Sequence, residues 1–250
     1  MNKISKAFEN KKALIGFLTA GDPNLDMTER MILAMADAGM DMIEIGIPFS
    51  DPITETDSVQ KANIRALSNG CTTDRIFEML KRVRNYTEIP IVFMTYINPV
   101  FTYGKERFME LCKNCGIDGL IIPDLPFEER GEIEEVCRQY DVKRISSIVP
   151  SPTKRLQEII SHAEGFIYGV DVENEGEQIM RIVRDCSQLP CAAYLGDVTY
   201  EEAARAATVF DAVVIGGAVE MLVEKYGEDC IEHVSDYVRM MKKSVIKAAA

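Results

Sequence analysis

The run Ile43-Glu44-Ile45-Gly46-Ile47 places one carboxylate inside an otherwise apolar segment. An ionised carboxylate is expensive to bury without a partner. Successive side chains of a strand point to opposite faces, so Glu44 shares its face with Met42 and Gly46 while Ile43, Ile45 and Ile47 face the other way. On a buried face, desolvation lifts a carboxyl pKa towards neutrality and makes the group a proton donor or acceptor. Two arrangements fit: a tuned acid/base, or a glutamate paired with a buried Lys or Arg or lying at a strand edge. The loop that follows crowds three more acids, Asp51, Glu55 and Asp57, before a helix begins.

Other residues able to do chemistry follow short apolar runs: Thr19-Ala-Gly-Asp22, Thr95-Tyr96, Asp124, Tyr168, Gly196-Asp197 and Gly216-Gly217. A glycine pair ahead of a helix can cradle phosphate on backbone N–H groups, and a tight strand-to-helix turn gives the same pair. His162 and His233 fall within helices, and no GxSxG, HExxH or P-loop spacing occurs. Cys112-x-x-Cys115 ends a helical stretch with no second Cys or His pair nearby. Neither a metal nor a cofactor is expected.

The elements that must hold these residues repeat along the chain. Apolar, often β-branched runs at Leu14–Thr19, Met42–Ile47, Ile91–Tyr96, Gly119–Pro123, Arg144–Val149, Gly165–Val170, Cys191–Leu195 and Ala212–Ile215 read as strands. Between them lie amphipathic stretches such as MTERMILAMADAG, KERFMELCKNCG and EGEQIMRIVRDCS, whose apolar residues recur three and four apart. Gly39, Gly116 and Gly165 stand where helix C-caps are expected. This alternation is the pattern of an α/β chain folded as a single (β/α)8 TIM barrel, here with a short N-terminal helix and residues 1–250 in one domain. A doubly wound sheet would carry a glycine-rich fingerprint after its first strand, where this chain reads TAGDPN. In a barrel, chemistry sits at the C-terminal ends of the strands, which is where the candidates fall.

Composition narrows the partners. A net charge of −12 gives no basic footprint for nucleic acid and no long-range attraction for a phosphorylated substrate. No apolar run reaches membrane-spanning length, and MNKISKAFENKK lacks the apolar core of a signal peptide. Seven irregularly spaced cysteines fit reduced thiols, and a cytoplasmic location is the expectation.

Four segments carry a resemblance: FLTAGDPN (Phe17–Asn24), IEIGIPFSDP (Ile43–Pro52), MTYINPVFTYG (Met94–Gly104) and GLIIPDLPFEE (Gly119–Glu129). In order and spacing they closely resemble the tryptophan synthase α subunit family, and the likeness runs from about Phe8 to Lys243. The resemblance implies a (β/α)8 barrel lyase that cleaves indole-3-glycerol phosphate to indole and glyceraldehyde 3-phosphate. It implies that Glu44 is the general acid/base and that Glu55 stands where the family has an aspartate accepting the indole N–H. Phe17 and Tyr168 match residues lining the indole pocket, and Tyr96 joins them as a substrate-binding candidate. Gly196, Gly216 and Gly217 match the phosphate loops. The implied partner is a pyridoxal-phosphate β subunit, in an α2β2 assembly, that receives indole through a channel.

The chain departs from the family in its loops. The family's SDPxADGP becomes Ser50-Asp51-Pro52-Ile53-Thr54-Glu55-Thr56-Asp57. The glycine-threonine-glycine lid after strand six is replaced by the shorter YGVDVENEGEQ. After strand seven Gly196 is followed by Asp197, which would repel a phosphate dianion, and Gly216-Gly217 lacks the family's serine hydroxyl. The same departures remove loop features that support contact with a β subunit. Two further readings therefore stay open: a related lyase with an altered, unphosphorylated indole or aldol substrate, and a non-catalytic ligand- or partner-binding homologue.

Overall fold

The computed structural model describes residues 3–9, 12–53 and 55–248, so Thr54 of the acidic loop lies outside the described residues. Helix α1 (Lys3–Ala7) leads into β1 (Ala13–Thr19), α2 (Leu25–Asp37), β2 (Met42–Gly46), α3 (Asp57–Ser68) and α4 (Thr73–Val83). Then come β3 (Ile91–Met94), α5 (Ile97–Tyr103), α6 (Lys105–Asn114), β4 (Gly119–Ile121) and α7 (Gly131–Tyr140). The second half runs β5 (Lys143–Arg144), β6 (Ser146–Ile148), α8 (Thr153–Ser161), β7 (Ile167–Val170), α9 (Gly176–Cys186) and β8 (Cys191–Tyr194). It closes with α10 (Tyr200–Val209), β9 (Ala212–Ile215), α11 (Gly217–Tyr226) and α12 (Cys230–Ala248).

All pairings are parallel, in the order β5-β4-β3-β2-β1-β9-β8-β7-β6. The two ends of that order are consecutive pieces of one chain segment, so the sheet closes on itself. The single fifth strand read at Arg144–Val149 is thus two short strands: β5 pairs with β4, and β6 pairs with β7. Between them Ile145 donates its N–H to Leu120 O at 2.9 Å and joins the inner cluster. The fold is a (β/α)8 barrel with eight staves, one of them broken where it changes partner.

Alternation sorts the side chains into two cores. Ala13, Ile15, Met42, Val92, Ile121, Tyr168 and Val214 pack together in the lumen. Leu14, Leu18, Ile43 and Ile45 pack instead against helix residues such as Met31, Ile76 and Leu80. Glu44, between Ile43 and Ile45, therefore points into the barrel. Helix α1 closes the opposite end: Ile4 and Ala7 belong to the lumen cluster, and Phe8 meets Phe166 with ring centroids 5.6 Å apart.

Two local expectations change. Gly39 (φ +105°) and Gly116 (φ +66°) follow the C-caps of α2 and α6, but Gly165 lies beyond the His162 cap of α8 and only turns the chain into β7. Strand three stops at Met94 and helix α5 begins at Ile97, whose N–H is accepted by Asp124 Oδ1 at 3.0 Å; Pro99 is tolerated in that first turn. All seven cysteines are free thiols. Among the described residues no helix is long and apolar enough to cross a membrane.

Ile4 is 1% exposed at the barrel floor. Ile4→Ala is expected to destabilise the fold by roughly 2–4 kcal/mol, seen as a lower urea midpoint at unchanged slope. A loss below about 0.5 kcal/mol would show that α1 does not seal the barrel.

Candidate active site

Strand ends on one side of the barrel surround a cavity of about 140 Å³. Phe17 (β1), Met94 (β3), Ser147 (β6), Tyr168 and Val170 (β7) and Tyr194 (β8) form its strand wall. Pro123, Val149, Glu55 and Val59 of α3 complete it. The rings of Tyr168 and Tyr194 stack at 6.0 Å, and Phe17 lies across Gly46, where a Cβ would come within 2.7 Å of its Cζ. The surface is that of a slot for a flat aromatic group.

Glu44 is fully buried behind this wall, paired in register with Phe17. The Tyr168 hydroxyl donates to its Oε1 at 3.3 Å, a long bond, and Oε2 has no partner among the described residues. Among the described residues no Lys or Arg forms an ion pair with it, and β2 lies between β1 and β3 rather than at a sheet edge. Burial pushes the Glu44 carboxyl up to about 8, offset in part by the Tyr168 hydrogen bond. At neutral pH the group holds its proton. Burial, then the adjacent Glu44, raises Tyr168 well above the usual phenol range, so it stays a donor.

Glu55 reaches the cavity from the loop after β2. Asn63 Nδ2 of α3 donates to its Oε2 at 2.7 Å, and Tyr96 also hydrogen-bonds the carboxylate. Burial raises its pKa, while those two bonds pull it down. The other acids of the loop have local work: Asp51 accepts from Ser50 Oγ at 2.6 Å in an exposed turn, and Asp57 sits in the first turn of α3, where negative charge is favoured.

Tyr96 is not part of the cavity wall. Its hydroxyl accepts the Ile53 N–H at 3.1 Å and its ring meets Phe49, so it holds the Glu55 loop. Gly196 follows β8 in the left-handed region, at φ +64°. Gly216 caps α11 and packs on Phe17, and Gly217 opens the helix with no side-chain cap. A Cβ on Gly217 would overlap Asp197 Oδ1, so the Asp197 carboxylate lies directly against the start of α11. Phe17, Glu44, Glu55 and Tyr168 thus come together, with Gly216 beside Phe17.

Sequence reading passed over Ser147, Val149, Val170 and Tyr194 as wall residues, and Asn63 as the clamp on Glu55. The first four are uncharged residues within strand runs, where nothing in the side chain itself marks a site. Asn63 meets Glu55 only because α3 folds back beside the loop. A buried acidic pair was also passed over, although Glu220 left a signal in the otherwise apolar GGAVEMLV.

The family model described as tryptophan synthase alpha chain matches residues 4–248. The tryptophan synthase alpha chain of Caldanaerobacter subterraneus subsp. tengcongensis is 37% identical over 260 residues, covering 97% of this chain and 99% of that one. The structure of tryptophan synthase subunit alpha from Legionella pneumophila str. Paris superposes with a TM-score of 0.91 at 30% identity, covering 98% of each chain. A chain of the tryptophan synthase α2β2 complex from Pyrococcus furiosus gives 0.86 at 31% identity, covering 93% of this chain and 98% of that one.

A carboxyl whose pKa is raised on folding contributes stability that is complete below the unfolded value of 4.5 and is lost as pH rises through about 8. Glu44→Gln removes that dependence. Above neutrality the variant is expected to be more stable than the parent by up to about 5 kcal/mol, with the gap closing in acid. Urea unfolding across pH measures this, and parallel curves would contradict the buried neutral acid.

Proposed function

The chain belongs to the tryptophan synthase alpha chain family, and from that membership we propose that it cleaves indole-3-glycerol phosphate to indole and glyceraldehyde 3-phosphate, a carbon–carbon lyase step of tryptophan biosynthesis. The observation that carries the reading is the Glu44 carboxyl, buried, neutral and with Oε2 unpartnered beside an aromatic slot.

The reaction breaks the bond between the indole ring and the carbinol carbon of the side chain. The electron pair stays with the ring carbon, which takes a proton, and the carbinol hydroxyl loses a proton as it becomes the aldehyde. One proton is gained and one released, so a single carboxyl that donates and then accepts balances the step. Glu44 fills that role, with Tyr168 orienting Oε1 and leaving Oε2 for the substrate. Glu55, clamped by Asn63 and Tyr96, accepts the indole N–H and stabilises the electron-rich ring. Phe17 and Tyr168 flank the ring, and backbone N–H groups at Gly196, Gly216 and Gly217 receive the phosphate. A β subunit of the kind named in the Pyrococcus furiosus complex is the proposed partner. A cytoplasmic site of action agrees with seven free thiols.

Purified chain incubated with indole-3-glycerol phosphate is expected to release indole, faster with a β subunit present. Glu44→Gln is expected to lower kcat by roughly 10²–10⁴-fold. No indole in either condition would refute the reaction, and full activity in Glu44→Gln would refute the role of Glu44.

One observation favours a second reading, in which the same cleavage acts on an unphosphorylated indole-3-glycerol. The Asp197 carboxylate rests against Gly217, where the phosphate would approach the helix start. Asp197→Gly removes that charge and is expected to lower KM for the phosphorylated substrate about tenfold with kcat unchanged. A parent enzyme that already prefers the phosphorylated substrate, with KM unmoved by Asp197→Gly, would remove the second reading.

A further inference from the structure

Behind the cavity, on the side of β1 and α11, two carboxyls share one cation. Glu220, in the first turn of α11, is 1% exposed, and Asp22, in the loop after β1, is fully buried. The Arg65 guanidinium of α3 donates Nε to Asp22 Oδ1 at 2.8 Å and Nη2 to Oδ2 at 2.6 Å. Glu220 Oε1 accepts the Thr19 N–H at 2.6 Å, and the Glu220 side chain is also hydrogen-bonded to Asp22. Both Asp22 oxygens accept from the Arg65 guanidinium, which leaves Glu220 as the member of the pair placed to carry a proton. Two carboxylates cannot share a hydrogen bond without a proton between them, so Glu220 is the acid that donates.

The placement gives this proton a consequence. Thr19 lies two residues beyond Phe17 of the cavity wall, and Arg65 lies two residues beyond Asn63, the clamp on Glu55. Glu220 itself follows Gly216-Gly217 by one turn, and its N–H bonds Gly216 O at 3.2 Å. One side chain thus ties together β1, the Asp22 loop and α11, and through Arg65 reaches α3. We propose that Glu220, as a neutral acid, is a positioning residue for substrate binding, and that ionising it loosens the junction of β1, α3 and α11. This inference rests on the proposed cleavage.

The charged and titratable groups around Glu220 leave it no cation of its own. Arg65 is committed to Asp22, and Lys61 of α3 pairs with Glu224 of α11 at 3.5 Å. Cys230 at the start of α12 and Tyr194 across the barrel are the other titratable groups that sense it, and Arg30 acts on Cys230 from α2. Burial, reinforced by Asp22, pushes the Glu220 carboxyl up to about 8. A raised pKa means that the neutral junction is intact at lower pH and is lost as pH rises through that value.

Glu220→Gln keeps a donor for Asp22 and an acceptor for Thr19 but cannot ionise. In the parent chain KM for indole-3-glycerol phosphate is expected to rise about tenfold as pH passes from well below 8 to well above it, while the KM of Glu220→Gln stays flat. The kcat profiles of the two proteins should superimpose, because both follow Glu44. An identical rise of KM in both proteins would overturn the proposal. If neither protein releases indole, the cleavage reading fails, and hydrogen exchange at the Thr19 and Gly217 amides then decides this one. Protection factors, corrected for the base-catalysed intrinsic rate, that fall above pH 8 in the parent and not in Glu220→Gln support it, and equal protection in both overturns it.

Discussion

The lumen of a closed barrel has no water with which to solvate a charge, and β2 turns Glu44 into it. Everything around the site answers that constraint. Among the described residues Tyr168 offers one long hydrogen bond, no cation approaches, and Oε2 is left without a partner. The carboxyl can remain there only by keeping its proton, which is the state a proton donor to an aromatic carbon needs. A buried lysine beside it would favour the ionised carboxylate and bring the pKa down.

The acids after β2 are not one cluster with one role. Asp51 faces solvent, Asp57 opens α3, and Glu55 alone turns into the cavity under the control of Asn63 and Tyr96. From α3, Asn63 Nδ2 donates to Glu55 Oε2 at 2.7 Å and holds the longer side chain in place. Asp197 and Glu220 place further acids beside the start of α11. Asp197 lies against the helix start and brings a negative charge to where a phosphate would approach, whereas Glu220, in the first turn of α11, is a neutral acid hydrogen-bonded to Thr19 and Asp22.

Much of this was legible in the residues. The alternation of Ile43, Glu44 and Ile45 gave the face of the catalytic candidate, because a strand has only two faces. The repeat of apolar runs and amphipathic stretches gave the barrel. The break at Ile145 was not legible, because Lys143–Ile148 exchanges one neighbour for another only when the sheet closes. The strand-end place of Tyr96 makes it a substrate-binding candidate, but its contacts with the Ile53 amide and the Glu55 carboxylate are fixed by loop geometry that no local pattern reports. The pairing of Glu220 with Asp22 joins residues nearly 200 positions apart, and no local pattern reports such a contact.

The protonation state of Glu44 in the folded protein is the claim on which the rest turns. Carbon-13 NMR of the glutamate carboxyl groups, with Glu44 assigned by comparison with Glu44→Gln, measures it directly. The barrel environment predicts two glutamate carboxyls that titrate near 8, Glu44 and Glu220, of which the Glu44 signal vanishes in the variant. A Glu44 resonance that titrates near 4.5, as a solvated glutamate does, would contradict the account.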